Sequence, residues 1–295
     1  MTSTARPRRS VLYMPGSNAR ALEKGRGLPA DSLILDLEDA VAPDAKELAR
    51  EQIAAAVAAG GYGAREIVVR VNDLKTPWGK EDVKEIAACG ADAILLPKVE
   101  SAAMVQELEA LMVASGAPEH MAIMCMMETP LGMLRADEVA GSSKRLSCLV
   151  MGTSDLVKDL QAAHTPDRLP VLTSLGLCIL AARAHGLAIV DGVHLDLQDD
   201  TGFAASCVQG RELGFDGKTL IHPKTIAAAN EAFAPSAEDI AWSRKIIAAH
   251  SEAAAEGKGV VVVDGKLIEN LHVESAQRLV SMAGKIEELA AANAE

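Results

Sequence analysis

The sequence predicts an α/β fold: a (β/α)8 barrel followed by a short helix–hairpin–helix extension. Three observations carry this reading. Eight short apolar runs, at 10–15, 32–38, 66–71, 93–97, 121–128, 146–151, 188–193 and 217–221, alternate with amphipathic stretches. Glycine falls just past the end of several of those stretches. Polar and charged residues gather directly after the apolar runs. Continuous apolar runs of this length read as strands buried on both faces, and their alternation with helices reads as parallel βαβ units. Eight such units fit a closed barrel better than an open doubly wound sheet, which usually has fewer strands.

Each element follows from local chemistry. The first run, with Val11-Leu12-Tyr13, stops at Pro15-Gly16, a turn pair. A helix over 44–59 opens after Pro43 with Asp44 as its expected cap and carries Leu48, Ile53 and Val57 on one face. Helices over 80–89, 102–114, 169–185 and 201–213 end at or near Gly90, Gly116, Gly186 and Gly214. After about residue 235 the rhythm breaks. A helix over 236–255 leads to a β-branched run over 259–263, the hairpin signal Asp264-Gly265, a return strand Lys266-Leu267-Ile268 and a last helix over 271–292. The chain therefore divides into a barrel, 8–235, and an extension, 236–295. The extension reads as too small to bury a core of its own, so it is expected to pack on the barrel or on a neighbouring subunit.

Composition narrows the function. Of the 295 residues, 49 % are apolar, enough for a large core, and aromatics are only 2 %, so Ala, Leu, Val, Ile and Met must fill it. A net charge of −12 argues against nucleic acid as a partner. No run of 18 apolar residues predicts a membrane span. The basic start, Met1 to Arg9, lacks the apolar region of a secretory signal. Five scattered cysteines without a CxxC read as small buried side chains in a reducing, cytoplasmic setting. His164, His185, His194 and His250 are isolated and read as surface or satisfied core residues.

Two carboxylates stand out. Glu128 ends the run 121–128, and Asp155 follows the run 146–151 by a few residues. A carboxylate at the tip of a buried strand is costly unless something pairs with it. Two on consecutive strands fit a hard divalent cation, Mg2+ first, that keeps several waters. Two helix-capping acids are the alternative, since Thr129-Pro130 and Asp155-Leu156 can both open helices. Other tips carry Tyr13 to Asn18, Asp36-Leu37-Glu38-Asp39, Arg70-Val71-Asn72 and Pro97-Lys98. Arg70 can equally be a structural partner of one of those acids, and Lys98 an exposed loop lysine or a Schiff-base lysine.

The segments Leu12-Tyr13-Met14-Pro15-Gly16-Ser17, Leu35-Asp36-Leu37-Glu38-Asp39-Ala40-Val41, Val69-Arg70-Val71-Asn72, Leu96-Pro97-Lys98-Val99, Met127-Glu128-Thr129 and Gly152-Thr153-Ser154-Asp155-Leu156 resemble the citrate lyase beta subunit-like family of the HpcH/HpaI aldolase superfamily. Gly217-Lys218-Thr219-Leu220-Ile221-His222-Pro223 and Val263-Asp264-Gly265-Lys266-Leu267-Ile268 fit the same family. The resemblance implies a TIM barrel holding Mg2+, or Mn2+, through Glu128 and Asp155, with Glu38 and Asp39 holding the metal's waters. It implies that Arg70 grips a substrate carboxylate or an enolate oxygen. Tyr13 and Lys24 would contact coenzyme A, with Pro15, Gly16, Ile221 and His222 along its channel and Ser154 beside the substrate. Asn18 stands where the family usually has Arg, with Arg20 close by. Glu269 matches an acidic residue, usually Asp, that an adjacent subunit supplies as general acid–base, so a homotrimer or homohexamer is implied.

The implied reaction is Mg2+-dependent cleavage of a 3-hydroxyacyl-CoA, such as malyl-CoA or citramalyl-CoA, to acetyl-CoA or propionyl-CoA and a 2-oxo acid. The string Glu269-Asn270-Leu271-His272 looks like the malyl-CoA thioesterase branch, which makes hydrolysis to malate and CoA the alternative. A citrate lyase beta-type subunit dependent on partner chains is a third reading. Capping of the last helix is the alternative role for Glu269 and His272.

Overall fold

Eight parallel strands wind in sequence order around a closed barrel in the computed structural model, which describes residues 6–255 and 257–293. The first half runs β1 (Ser10–Pro15), α1 (Ala19–Gly25), β2 (Ser32–Asp36), α2 (Lys46–Ala59), β3 (Glu66–Arg70), α3 (Gly79–Ile86), β4 (Ala93–Leu96), α4 (Ala102–Ala114) and β5 (Ala122–Met127). It continues with α5 (Pro130–Leu134), α6 (Ala136–Ala140), β6 (Leu146–Met151), α7 (Thr153–Asp159), α8 (Leu172–Ala184), β7 (Ala188–Asp191), α9 (Asp200–Leu213), β8 (Gly217–Leu220) and α10 (Ile226–Ala232). Strand β8 pairs with β1, Ser10 opposite Lys218, and closes the barrel.

The apolar runs are continuous because each strand buries both faces. Alternate residues such as Val11, Ile34, Val68, Leu95, Met124 and Val150 fill the barrel interior. Their neighbours, among them Leu12, Leu33, Leu35, Val69, Ile94 and Leu149, pack outward in the layer shared with the helices. At the N-terminal end, Arg8 donates a fork to Glu66, at 2.7 and 2.6 Å, both buried. Register then sets the other end. Asp36 is the partner of Arg70 across β2 and β3, and Met127 that of Met151 across β5 and β6. Glu128 therefore emerges beside Gly152.

One glycine is required by this packing. A Cβ on Gly16 would lie 2.7 Å from the Asp36 carbonyl oxygen, and the Gly16 N–H donates to that oxygen at 2.9 Å. The tips of β1 and β2 approach too closely for any side chain there.

Several details differ from the sequence reading. Asp44 does not cap α2; it lies in a 3-10 turn, Pro43–Ala45, that runs into the helix. Among the described residues, the buried Nε2 of His194 and that of His250 each have no hydrogen-bond partner, so neither ring is fully satisfied.

Among the described residues the chain forms two compact units, Arg8–Phe233 and a second made of 234–255, 257–293 and 6–7. The second contains α11 (Ala237–Ala255), the hairpin strands β9 (Val261–Val263) and β10 (Lys266–Ile268), and α12 (Asn270–Ala292). Asp264 and Gly265 both adopt positive φ, 49° and 77°, as a two-residue hairpin turn demands. This unit corrects one expectation, because it does bury a small core: Ile246, Val263, Ile268, Val273 and Ala276, with Trp242 packed against them. Among the described residues no helix is long and apolar enough to cross a membrane. The first five residues of the basic N-terminal stretch lie outside the described residues.

Candidate active site

The C-terminal ends of β1 to β5, with the loop after β2, bring six side chains into one connected cluster. Arg70, at the end of β3, is buried and donates from Nε and Nη2 to the two oxygens of Asp36 at 2.7 and 2.6 Å. Its Nη1 lies 2.7 Å from Glu38 Oε2. Its guanidinium carbon sits 4.9 Å from the centre of the Tyr13 ring. Asp36 also accepts the N–H groups of Glu38 and Ala40, so it shapes the loop that carries Glu38 and Asp39. The structural role considered for Arg70 is thus realised through Asp36. These partners leave Nη2 a second N–H to offer a ligand, because a guanidinium carries five donors.

Lys98 links this pair to Glu128. Its Nζ donates to Glu38 Oε1 at 2.6 Å, and its backbone N–H donates to Glu128 Oε1 at 2.8 Å. Burial alone would lower the Lys98 pKa, but the hydrogen bond and charge of Glu38, with Glu128 and Asp39 nearby, push it above the ordinary range. A lysine held protonated is a poor nucleophile, which counts against the Schiff-base alternative. Burial pushes the Glu38 carboxyl up against the pull of Arg70 and Lys98. Burial likewise pushes Glu128 up to about 7, opposed by the Lys98 N–H. It also raises the Tyr13 phenol.

The capping alternative fails for both carboxylates. Thr129 caps α5, its Oγ1 accepting the Gly132 N–H at 3.1 Å, and Gly152 is the N-cap of α7. Glu128 is left as a buried carboxylate whose side-chain partner among the described residues is the Lys98 backbone. A Cβ on Gly152 would fall 2.5 Å from Glu128 Oε2, so glycine there leaves room for the carboxylate. Asp155 is not at a strand tip but in the first turn of α7, half-buried, with Lys158 Nζ 3.3 Å away. Among the described residues no group of three or more His, Cys, Asp or Glu forms a cage for a metal. Mg2+ does not need one, since it commonly takes one or two carboxylates and fills its octahedron with water and substrate oxygens. Glu128 and Asp155, on consecutive βα units, fit that donor set.

The other expected residues are placed as follows. Asn18 caps α1, accepting the Ala21 N–H at 3.1 Å, and Arg20 and Lys24 are exposed on that helix. Pro15 ends β1. Ser154 lies in the first turn of α7. Ile221 and His222 are exposed after β8, and His222 Nδ1 accepts the Lys224 N–H at 3.1 Å. Glu269 is the exposed N-cap of α12, in a capping box with His272, whose Nδ1 accepts the Glu269 N–H at 3.1 Å. Burial raises the thiols of Cys148, Cys178 and Cys207 to about 12, 12 and 11, which removes them as nucleophiles.

Sequence reasoning missed the support beneath the acidic loop. Lys46 is buried, and its Nζ donates to the carbonyls of Leu37 and Glu38 and to Asn72 Oδ1 at 2.7, 2.7 and 2.8 Å. Asp82 holds Asn72 from below and pairs with Arg50 at 2.8 Å. Lysines on amphipathic helices read as surface residues, so the sequence carries no signal for this role.

A barrel with acids and an arginine at its strand ends defines a class, and comparison gives the family. The chain belongs to the HpcH/HpaI aldolase/citrate lyase family, which matches residues 9–223. It is 51 % identical over 286 residues to a (3S)-malyl-CoA thioesterase of Cereibacter sphaeroides, covering 97 % of this chain and 98 % of that one. It is 37 % identical to the citrate lyase subunit beta of Leuconostoc mesenteroides subsp. cremoris, covering 94 % of each chain. Among solved structures, CitE of Mycobacterium tuberculosis in complex with magnesium, acetoacetate and coenzyme A matches at a TM-score of 0.75 and 28 % identity, over 95 % of this chain and 99 % of that one.

Proposed function

We propose that the protein hydrolyses a 3-hydroxyacyl-CoA thioester, (3S)-malyl-CoA first, to the free acid and coenzyme A, with Mg2+ held by Glu128 and Asp155. The observation that carries this reading is the buried Glu128 carboxylate, on the βα unit next to that of Asp155 and with one oxygen unclaimed among the described residues. The end-to-end 51 % identity with a thioesterase, against 37 % with a citrate lyase subunit, ranks hydrolysis ahead of carbon–carbon cleavage.

In this reading a bound divalent cation would supply Lewis acidity toward the acyl group's oxygens. Glu128 and Asp155 would hold it, Asp39 would orient its waters, and Glu38 would stay paired with Arg70 and Lys98. Arg70, fixed by Asp36, turns its remaining N–H toward the thioester oxygen and stabilises the charge that develops there as water adds. Glu269, supplied by a neighbouring subunit, takes the proton from that water. The carbon–sulfur bond then breaks, and Glu269 returns that proton to the departing thiolate. Tyr13, Pro15, Gly16, Asn18, Arg20, Lys24, Ser154, Ile221 and His222 contact the CoA ester.

The same residues serve carbon–carbon cleavage to acetyl-CoA and glyoxylate, the second reading, which the 37 % identity with a citrate lyase subunit favours. The test is thiol release from malyl-CoA by purified protein. Release that a chelator abolishes and Mg2+ restores is expected, and release unaffected by excess chelator contradicts the metal role.

A further inference from the structure

We propose that Lys98 is a positioning residue that sorts two neighbouring carboxylates, turning Glu128 toward a divalent cation and Glu38 toward Arg70. This rests on the metal reading given above. Lys98 follows β4 with φ of 50°, a left-handed conformation that residues with a Cβ rarely hold. Such conformations persist where the surroundings enforce them, and they gather at ligand sites. Here the conformation accompanies a specific contact, the N–H donated to Glu128 Oε1 at 2.8 Å. The side chain of the same residue reaches the second acid, its ammonium 2.6 Å from Glu38 Oε1.

Each arm takes one oxygen of one acid. Glu128 keeps Oε2, the oxygen beside Gly152, for a metal. Glu38 has Lys98 on Oε1 and Arg70 Nη1 2.7 Å from Oε2, so both its oxygens face cations of the protein. The ammonium therefore keeps Glu38 from competing for the metal or repelling Glu128 from its place. Removing it leaves Glu38 Oε1 without its 2.6 Å partner, on the far side of the residue whose N–H holds Glu128.

Two opposite electrostatic expectations make this testable with Mn2+ alone, titrated calorimetrically into the full-length protein. Deleting a positive charge near a cation site should by itself tighten binding. Sorting predicts the reverse: Lys98→Met should weaken Mn2+ binding by roughly tenfold to a hundredfold, the range for losing a partner that orients a ligand. Lys98→Arg should recover most of that loss. The double variant E38Q/K98M should also recover affinity, because the unpaired carboxylate is gone. Lys98→Gln serves in place of K98M if the latter does not fold. Unchanged or tighter binding in K98M overturns the role of Lys98, as does a double variant as weak as K98M. Wild-type protein that binds no Mn2+ overturns the metal reading, and this proposal with it.

Discussion

Arg70 shows how one side chain is constrained before any ligand arrives. Two of its N–H groups are held by Asp36 and its Nη1 lies in an ion pair with Glu38, so its plane is fixed over Tyr13. A lysine cannot copy that fork. Arg70→Lys should lower kcat/KM roughly tenfold to a thousandfold, the worth of one charge-assisted contact in the transition state. An unchanged kcat/KM would leave Arg70 a structural residue only. Asp36→Ala removes both of the hydrogen bonds that clamp a buried guanidinium and should cost about 3–5 kcal/mol in denaturant unfolding. At this scale the sequence was half legible. It put Asp36, Glu38 and Arg70 at neighbouring strand tips, but which acid clamps the arginine depends on the register of β2 against β3. The sign of the Lys98 φ was not legible, since a Pro-Lys pair after a strand gives no hint of it.

The strands were the most legible elements, because burial on both faces writes itself as a continuous apolar run. All eight runs contain strands of the barrel. The short helices α1, α5, α6, α7 and α10 span five to seven residues each, too few for a helical period to show. Asp155 was read at a strand tip for that reason, whereas β6 ends at Met151 and α7 carries the acid. The pairing of a strand-tip acid with a helix-turn acid makes a prediction. Glu128→Gln and Asp155→Ala should each abolish Mg2+-dependent turnover without lowering Tm, since neither carboxylate anchors the barrel. Full activity in either variant removes it from the metal site. At α12, Glu269 already caps a helix, so Glu269→Asp keeps a good cap while shortening the reach of the acid. The ratio of carbon–carbon cleavage to hydrolysis should rise in that variant if reach selects the bond, and Tm should hold. An unchanged ratio would place the selection elsewhere in the pocket.

Over the whole molecule, the extension carries the acid and the barrel carries the proposed metal site. If a neighbouring subunit supplies Glu269, Glu269→Ala and Asp155→Ala chains, each inactive alone, should partly restore activity when they exchange subunits. Closed symmetry allows one chain's extension to complete the next chain's barrel. Exchange without recovery, or a fully active monomer by sedimentation, rules the sharing out. The sequence places the division at 235/236, where the alternating rhythm stops, and the described residues separate into units at 233/234. The small core of the extension was not legible, since its five buried side chains come from a helix, two three-residue strands and another helix.

The most direct test is to incubate the purified full-length protein with Mg2+ and (3S)-malyl-CoA and identify every product. Thioester hydrolysis consumes one water and yields malate and free CoA in equal amounts. Those products, formed without added partner chains, are the expected result. Acetyl-CoA and glyoxylate without thiol release would contradict it.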